Sequence, residues 1–389
     1  MRKTLVSIFA LLAIAGPAFA GWEEGVAAFT KKDYETARTE FQQVVNQNPD
    51  AFNGHYMLGL SLGFLGRKEE ALNHVRKAYD LNPNDLMIKV ELGRAYINMR
   101  RYADAAKLLG TVGDADLGKL DERRRSAFYQ MRAAAREKNG EEDGAYADYK
   151  KLASLLPQDA QIQLKYGVLA SNGEQMSDAL SALDRAHRAA PNDPDVKRSY
   201  ITVLKKQGRT QRDKNAKKQT YLKAANLAGE LVKADGSYDN LLLKCEVELG
   251  ASLYGEAVTS CKSASGKKPT EWLALFYLGQ AYSANKQFAE AEPPLAQAEQ
   301  LAKRAEDLRS VRKQIGFVYE KQKKYSQSIE AYEKAGDPAG VARVKENEAT
   351  ARENERIEVE NARIEEMRKE AEELEKQLKE LEGGGGGGR

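Results

Sequence analysis

The sequence is poor in the residues that most chemistry needs. It has two cysteines and three histidines in 389 residues, so a dense disulfide framework and a histidine-rich metal centre are both excluded. No residue pattern matches His-Glu-x-x-His, Gly-x-Ser-x-Gly or a phosphate-binding glycine loop ending in Gly-Lys-Ser/Thr. His55, His74 and His187 fall in different predicted helices, each without a companion at metal-ligand spacing, and read as surface or core histidines. The carboxylates sit at helical-surface spacing. The expectation is a protein that is not an enzyme and carries no cofactor and no metal. Large charge of one sign is missing too. Sixty-one basic residues face 58 acidic ones, a net charge of +3, which argues against nucleic acid as a partner. Beyond the N-terminus there is no long apolar run, and the mean hydropathy is −0.64, unlike a chain with many membrane spans.

The one apolar run stands at the start. Arg2 and Lys3 precede Leu5 to Ala15, Gly16 and Pro17 break the run, and Ala18-Phe19-Ala20 supplies small residues for cleavage. This is the order of a secretory signal peptide over residues 1–20, cleaved after Ala20; an uncleaved membrane anchor is the alternative. No cysteine lies near the cleavage point, which disfavours a lipoprotein. The expected location is the bacterial periplasm.

The body is periodic. Ala37, Ala71 and Ala105 are spaced by 34, as are Pro49 and Pro83, Pro157 and Pro191, Ala145 and Ala179, and Ala257 and Ala291. Leu58-Gly59 returns 34 residues later as Leu92-Gly93. Leu278-Gly279 and Ile315-Gly316 carry the same grammar, with aromatic and alanine positions following. Such units read as two helices each: glycine and alanine where backbones approach, large residues three or four positions away, and proline closing the second helix. These residues resemble the tetratricopeptide repeat (TPR), in about nine units between residues 21 and 337. Three departures stand out. The fourth unit is offset by six residues and has Arg132-Ala133 in place of Leu-Gly; the sixth is interrupted by a basic insertion at 209–218; the seventh has Cys245 at the glycine position. The resemblance implies an all-α, right-handed superhelical solenoid of stacked helix pairs.

It also implies a surface. In this family the first helices line a concave groove that holds peptides or helices. Its positions in the first three units are Trp22, Val26, Phe29, Tyr56, Leu60, Phe64, Met87, Val90 and Ile97, an apolar and aromatic set. The set reads as a partner-binding groove, or as a face covered by the twist of the array. The lysine, asparagine and arginine clamp with which some relatives hold acidic chain ends is absent from these positions. Residues 197–223 hold ten basic residues against Asp213 alone. They include Arg198, Lys205, Lys206, Arg209, Arg212, Lys214, Lys217 and Lys218. This segment suits anionic membrane, an acidic protein or a cell-wall polymer, or it is a solvated loop. Cys245 and Cys261 fall at matching depths of two antiparallel helices, which allows a disulfide or a pair of buried thiols.

The C-terminal end differs. Asp337-Pro338 reads as a helix start, and neither proline nor, after Gly340, glycine recurs before 383. Ile357, Ile364, Ala371 and Leu378 are seven apart, with Met367, Leu374 and Leu381 at the matching d positions and Glu360 as a flaw. The segment 338–382 reads as a long helix with a coiled-coil seam, or as a lone charged helix. Nine basic and 14 acidic residues between 341 and 382 make it acidic. Its charges predict that self-association is antiparallel, or that the helix pairs with another protein. Residues 383–389 read as a glycine-rich flexible end. The functional expectation is a periplasmic scaffold or adaptor binding other proteins in a cell-envelope assembly such as secretion, pilus, motility or cell-wall machinery. The alternatives are a cell-wall polymer binder using the basic segment and a chaperone-like carrier using the apolar groove.

Overall fold

The computed structural model describes residues 21–383, with side chains to 380. The signal-peptide reading of 1–20 and the glycine end beyond 383 lie outside the described residues. Within them every regular element is a helix, and no helix is long and apolar enough to cross a membrane. The chain divides into two compact units, one ending at Val203 and the other beginning at Leu204.

The first unit holds five helix pairs. They are α1 (Trp22–Thr30) with α2 (Tyr34–Gln47), α3 (Phe52–Phe64) with α4 (Lys68–Leu81), and α5 (Leu86–Asn98) with α6 (Tyr102–Gly110). A short α7 (Asp114–Gly118) intervenes before α8 (Glu122–Asn139) with α9 (Glu142–Leu155) and α10 (Ala160–Asn172) with α11 (Met176–Ala189). The boundary between units falls inside α12 (Pro194–Thr210), which is followed by α13 (Lys214–Ala234). The second unit then carries α14 (Tyr238–Gly250) with α15 (Tyr254–Lys267), α16 (Trp272–Ala284) with α17 (Phe288–Leu301), and α18 (Ala305–Lys321) with α19 (Tyr325–Lys334). It ends in α20 (Pro338–Gly383), 46 residues long.

The 34-residue period has three physical causes. Proline follows α2, α4, α9, α11 and α15, and after α4, α9 and α11 an aspartate two residues on caps the next first helix. Asp85 accepts from the Met87 and Ile88 amides at 2.8 and 3.0 Å, and Asp159 accepts from Gln161 and Ile162. Inside each pair the turn contains one left-handed residue: Lys32, Gly66 and Arg100, then Gly140 and Glu174, then Ser252 and Lys286, and Lys323. The third cause is a close approach between residues 16 apart. A Cβ on Gly59 would lie 2.5 Å from Val75 Cγ2, and one on Gly279 would collide with Leu295. The same register joins Gly25 to Phe41 and Gly93 to Leu109.

The departures fall in this register or one position before it. Cys245 and Cys261, also 16 apart, are joined by a disulfide with Cα atoms 5.1 Å apart. The approach that glycine permits elsewhere is here the separation a disulfide requires. In the fourth pair, Arg132 and Asp148 are buried 16 apart. Arg132 Nη2 and Nε donate to Asp148 at 2.6 and 3.0 Å, Nη1 donates to the Val112 carbonyl, and Arg136 adds a second cation at 2.7 Å. The basic insertion is not a loop. It lengthens α12 and α13, leaving only Gln211–Asp213 outside helix, and Asp213 caps α13 through the Ala216 amide at 2.6 Å.

Candidate interaction surfaces

The first-helix residues of the first three pairs do not form one open groove. Phe29 and Leu60 are 4% and 6% exposed and belong to the core, so neither is available to a partner. Trp22, Val26 and Tyr56 are half-buried against the same core, and Trp22 meets Phe41 edge-on at 5.6 Å. Met87, Val90 and Ile97 are also half-buried. The reason is lateral. First helices of successive pairs pack beside one another, as α3 and α5 do, and cover each other's flanks. Phe64 remains, 47% exposed, its ring stacked on Tyr34 at 4.5 Å and edge-on to Phe29 at 5.7 Å. Beside the half-buried Tyr56, burial pushes the Glu91 carboxyl up, with Arg94 opposing at 2.5 Å. Burial, and secondarily Glu91, drives the Tyr56 hydroxyl far above its usual range.

A concave surface does open farther along the first unit. A cavity of about 350 Å³ is lined by Glu137, Leu164, Lys165, Val168, Leu169, Asn172 and Ser199 from the first helices α8, α10 and α12, with Glu142 from the start of α9. Val168 is 37% exposed there. Lys165 Nζ donates to Glu137 Oε1 at 2.6 Å, and the Tyr149 hydroxyl donates to Glu137 Oε2 at 3.1 Å. The surface thus joins an apolar floor to a fixed ion pair, the combination that orients a bound chain segment. Sequence reasoning missed it. Its signal was Leu164, Val168 and Leu169 on one stripe of α10, in a pair where the groove positions were not mapped.

The basic residues separate into paired and open ones. Arg198, in the first unit's part of α12, lies 3.6 Å from Asp195. In the second unit Lys205 and Arg209 both donate to Glu246, at 2.5 and 3.1 Å, and Lys206 is exposed. Arg212, Lys214, Lys217 and Lys218 are exposed at the α12–α13 corner with no acidic partner among the described residues. The cationic surface is therefore these four side chains.

The histidines are not all isolated. The pairing of α3 with α4 brings His55 and His74 together, Nδ1 to Nδ1 at 3.0 Å, and His55 Nε2 donates to the Pro49 carbonyl at 3.0 Å. Spacing along the chain hides this, because the two residues face each other across a helix hairpin. Burial holds both rings below the usual histidine range, and for His74 the charge of His55 adds to it. No cluster of three or more metal-ligating side chains exists among the described residues.

On α20, Asp337 accepts from the Gly340 amide at 3.1 Å, Val344 is fully buried, and Arg343 pairs with Glu320 at 3.0 Å. The helix thus docks on α18 and α19 by its first turns. From 352 to 380 every side chain is exposed, the seam positions Ile357, Ile364, Met367, Ala371, Leu374 and Leu378 included. The Leu381 side chain lies outside the described residues. Along this stretch Arg352 pairs with Glu348, Arg356 with Glu353 and Arg368 with Glu372.

Models of the tetratricopeptide repeat match residues 23–86, 65–123 and 314–335. Among curated proteins, anaphase-promoting complex subunit 3 of Schizosaccharomyces pombe is 24% identical over 136 residues, 35% of this chain and 20% of that protein. Superkiller complex protein 3 of Mus musculus is 36% identical over 78 residues, 19% of this chain and 5% of that protein. The chain therefore spans a small part of either relative. Among solved structures, MamA 41-end from Desulfovibrio magneticus RS-1 is 16% identical, covering 45% of this chain and 95% of that one, with a TM-score of 0.37. YrrB, described as a TPR protein with an unusual peptide-binding site, is 15% identical, covering 48% and 91%, with a TM-score of 0.39. Repeat models thus match near both ends of the succession of helix pairs, and turn and glycine registers of the same kind recur between them, so the chain carries tetratricopeptide repeats and the stacked helix pairs that they build.

Proposed function

We propose that the protein is an exported, non-enzymatic scaffold that holds segments of other proteins on the first-helix surface of its first unit, within a cell-envelope assembly. The observation that carries this reading is the cavity on α8, α10 and α12 and the start of α9, where exposed Val168 stands beside the Lys165–Glu137 pair. The charged, apolar and small-residue order of residues 1–20 supports export to the periplasm. The test is capture of the processed protein and its partners from its own cell envelope. A Val168→Glu variant and a chain ending at Ala351, which keeps the docked turns of α20, are compared beside it. One or two stoichiometric partners lost from Val168→Glu support the scaffold. A broad set of unfolded clients favours a carrier, and no partner in any sample ends the reading.

A second reading rests on Arg212, Lys214, Lys217 and Lys218, four exposed cations at one corner. They suit an anionic polymer or membrane surface. Salt-sensitive pelleting with cell wall, abolished by reversing these four charges, distinguishes it.

A further inference from the structure

The exposed part of α20 carries an apolar seam that no other described element covers. Residues 352–380 are exposed throughout, a rod of about 45 Å at the helical rise. Ile357, Ile364, Met367, Leu374 and Leu378 are between 49% and 65% exposed and lie on one seam. An apolar stripe at heptad spacing is buried by a second helix laid along it. We propose that this second helix is α20 of another copy of the same chain, running antiparallel.

The apolar and the charged positions both favour this arrangement over a parallel pair. With a two-fold axis near residue 369, Ile364 meets Leu374 of the second copy and Met367 meets Ala371; the symmetry repeats each contact. The two Met367–Ala371 layers then join a large side chain to a small one, the two Ile364–Leu374 layers join two large ones, and Glu360 falls in an end layer opposite Leu378, near water. A parallel, in-register pair stacks Ala371 on Ala371, leaving that layer thin. It also opposes Arg363 to Arg368 and Glu370 to Glu375, and each repulsion occurs twice. Reversing one helix about residue 369 removes both oppositions: Glu370 then neighbours Glu370 and Arg368 neighbours Arg368 once each, while Arg363 and Arg368 lie diagonally, about 7.5 Å along the axis, from Glu370 and Glu375 of the second copy, and each of these attractions occurs twice. Flanking charges of this kind set helix orientation. The dimer would hold two repeat units at opposite ends of one rod and make any binding surface they carry bivalent. The inference does not depend on what that surface binds, so it can fail without the scaffold reading failing.

The test uses full-length chains, whose two native cysteines are already bonded to each other. Ile364→Cys and Leu374→Cys are made separately, then mixed and oxidised. The expected result is a disulfide-linked dimer only in the mixture, because each residue lies about 15 Å along the axis from its own copy. Sedimentation should show a concentration-dependent dimer, lost in Met367→Glu/Leu374→Glu while far-ultraviolet circular dichroism is kept. Efficient crosslinking of Ile364→Cys to itself would establish a parallel pair and overturn the orientation. A chain monomeric at every concentration, or a dimer that survives Met367→Glu/Leu374→Glu, overturns the proposal. So does a monomer whose α20 is covered only by a different envelope protein.

Discussion

At the scale of single residues, the informative positions are those where the repeat's own rule is broken. Arg132 and Asp148 stand where the third pair has Leu92 and Leu108, two members of its apolar core. The guanidinium also lies over the Phe128 and Tyr129 rings, at 5.1 and 5.5 Å. Removing one partner strands charge in the interior, which costs about 3–5 kcal/mol, whereas replacing both by apolar residues is often neutral. Asp148→Asn should therefore lower the denaturation midpoint sharply. Arg132→Leu with Asp148→Leu should restore most of the loss, as urea unfolding would show. A double variant as unstable as Asp148→Asn would mean that the ion pair does more than fill the layer.

The His55–His74 pair makes a second residue-scale prediction, this one in pH. The Pro49 carbonyl only accepts, so His55 Nε2 carries the proton and His55 Nδ1 accepts from His74 Nδ1. Both groups titrate below their unfolded value of about 6.5. Their charged surroundings are Lys77 and Asp50 near His55, and Glu70 near His74. With folded values depressed, the unfolded chain takes up protons first as pH falls. The stability they contribute is complete above about pH 6.5 and is lost as pH falls through the folded values. His74→Gln keeps a donor to His55 and removes one titration, so its unfolding midpoint should depend less steeply on pH between 6.5 and 5. Equal slopes in the two proteins would show that the pair is not coupled to folding.

At the scale of elements, the turn inside each helix pair is built alike from unlike residues. Lys32, Arg100 and Lys286 adopt φ of 66°, 57° and 64°, the region that Gly66 and Gly140 fill at 80° and 77°. A side chain in this region costs of order 1 kcal/mol, and nothing lies within 4 Å of a Cβ built on Gly66 or Gly140. The cost is therefore backbone alone. Lys286→Gly should raise stability and Gly140→Ala should lower it, each by about 1 kcal/mol, with no change in the fold. Opposite signs in calorimetry would place the strain elsewhere. These turns also mark how far the sequence could be read. Alanine, proline and the Leu-Gly pair repeat because packing admits few residues there, so the helix pairs were legible. The left-handed turn residue is set by backbone geometry and accepts lysine, arginine, glutamate, serine or glycine, so its 34-residue spacing leaves no compositional trace. The groove was misread for a related reason. Helical spacing identifies Phe29 and Leu60 as apolar positions of a first helix, but not which flank the neighbouring pair covers. The concave cavity was missed because it depends on residues from four helices.

At the scale of the whole molecule, the buried core is a succession of small clusters rather than one interior. One cluster joins α1, α2 and α3, another gathers residues from α14, α15 and α16 around the disulfide, and others link α16, α17 and α18. When each pair is buried mainly by its sequence neighbours, stability is approximately a sum of local terms and disturbances stay local. The disulfide tests this directly. It closes a separation of 16 residues, which in the chain-entropy model contributes about 3 kcal/mol. Cys245→Ala with Cys261→Ala retains small apolar side chains at two fully buried positions and removes the link. Amide hydrogen exchange should then accelerate in α14, α15 and α16, the helices that share that cluster. Protection of α3 and α4, whose residues pack in clusters of the first unit, should be unchanged. Acceleration that reached α3 and α4 to the same degree would show that the chain unfolds as one cooperative body, and that a partner binding one unit stabilises both.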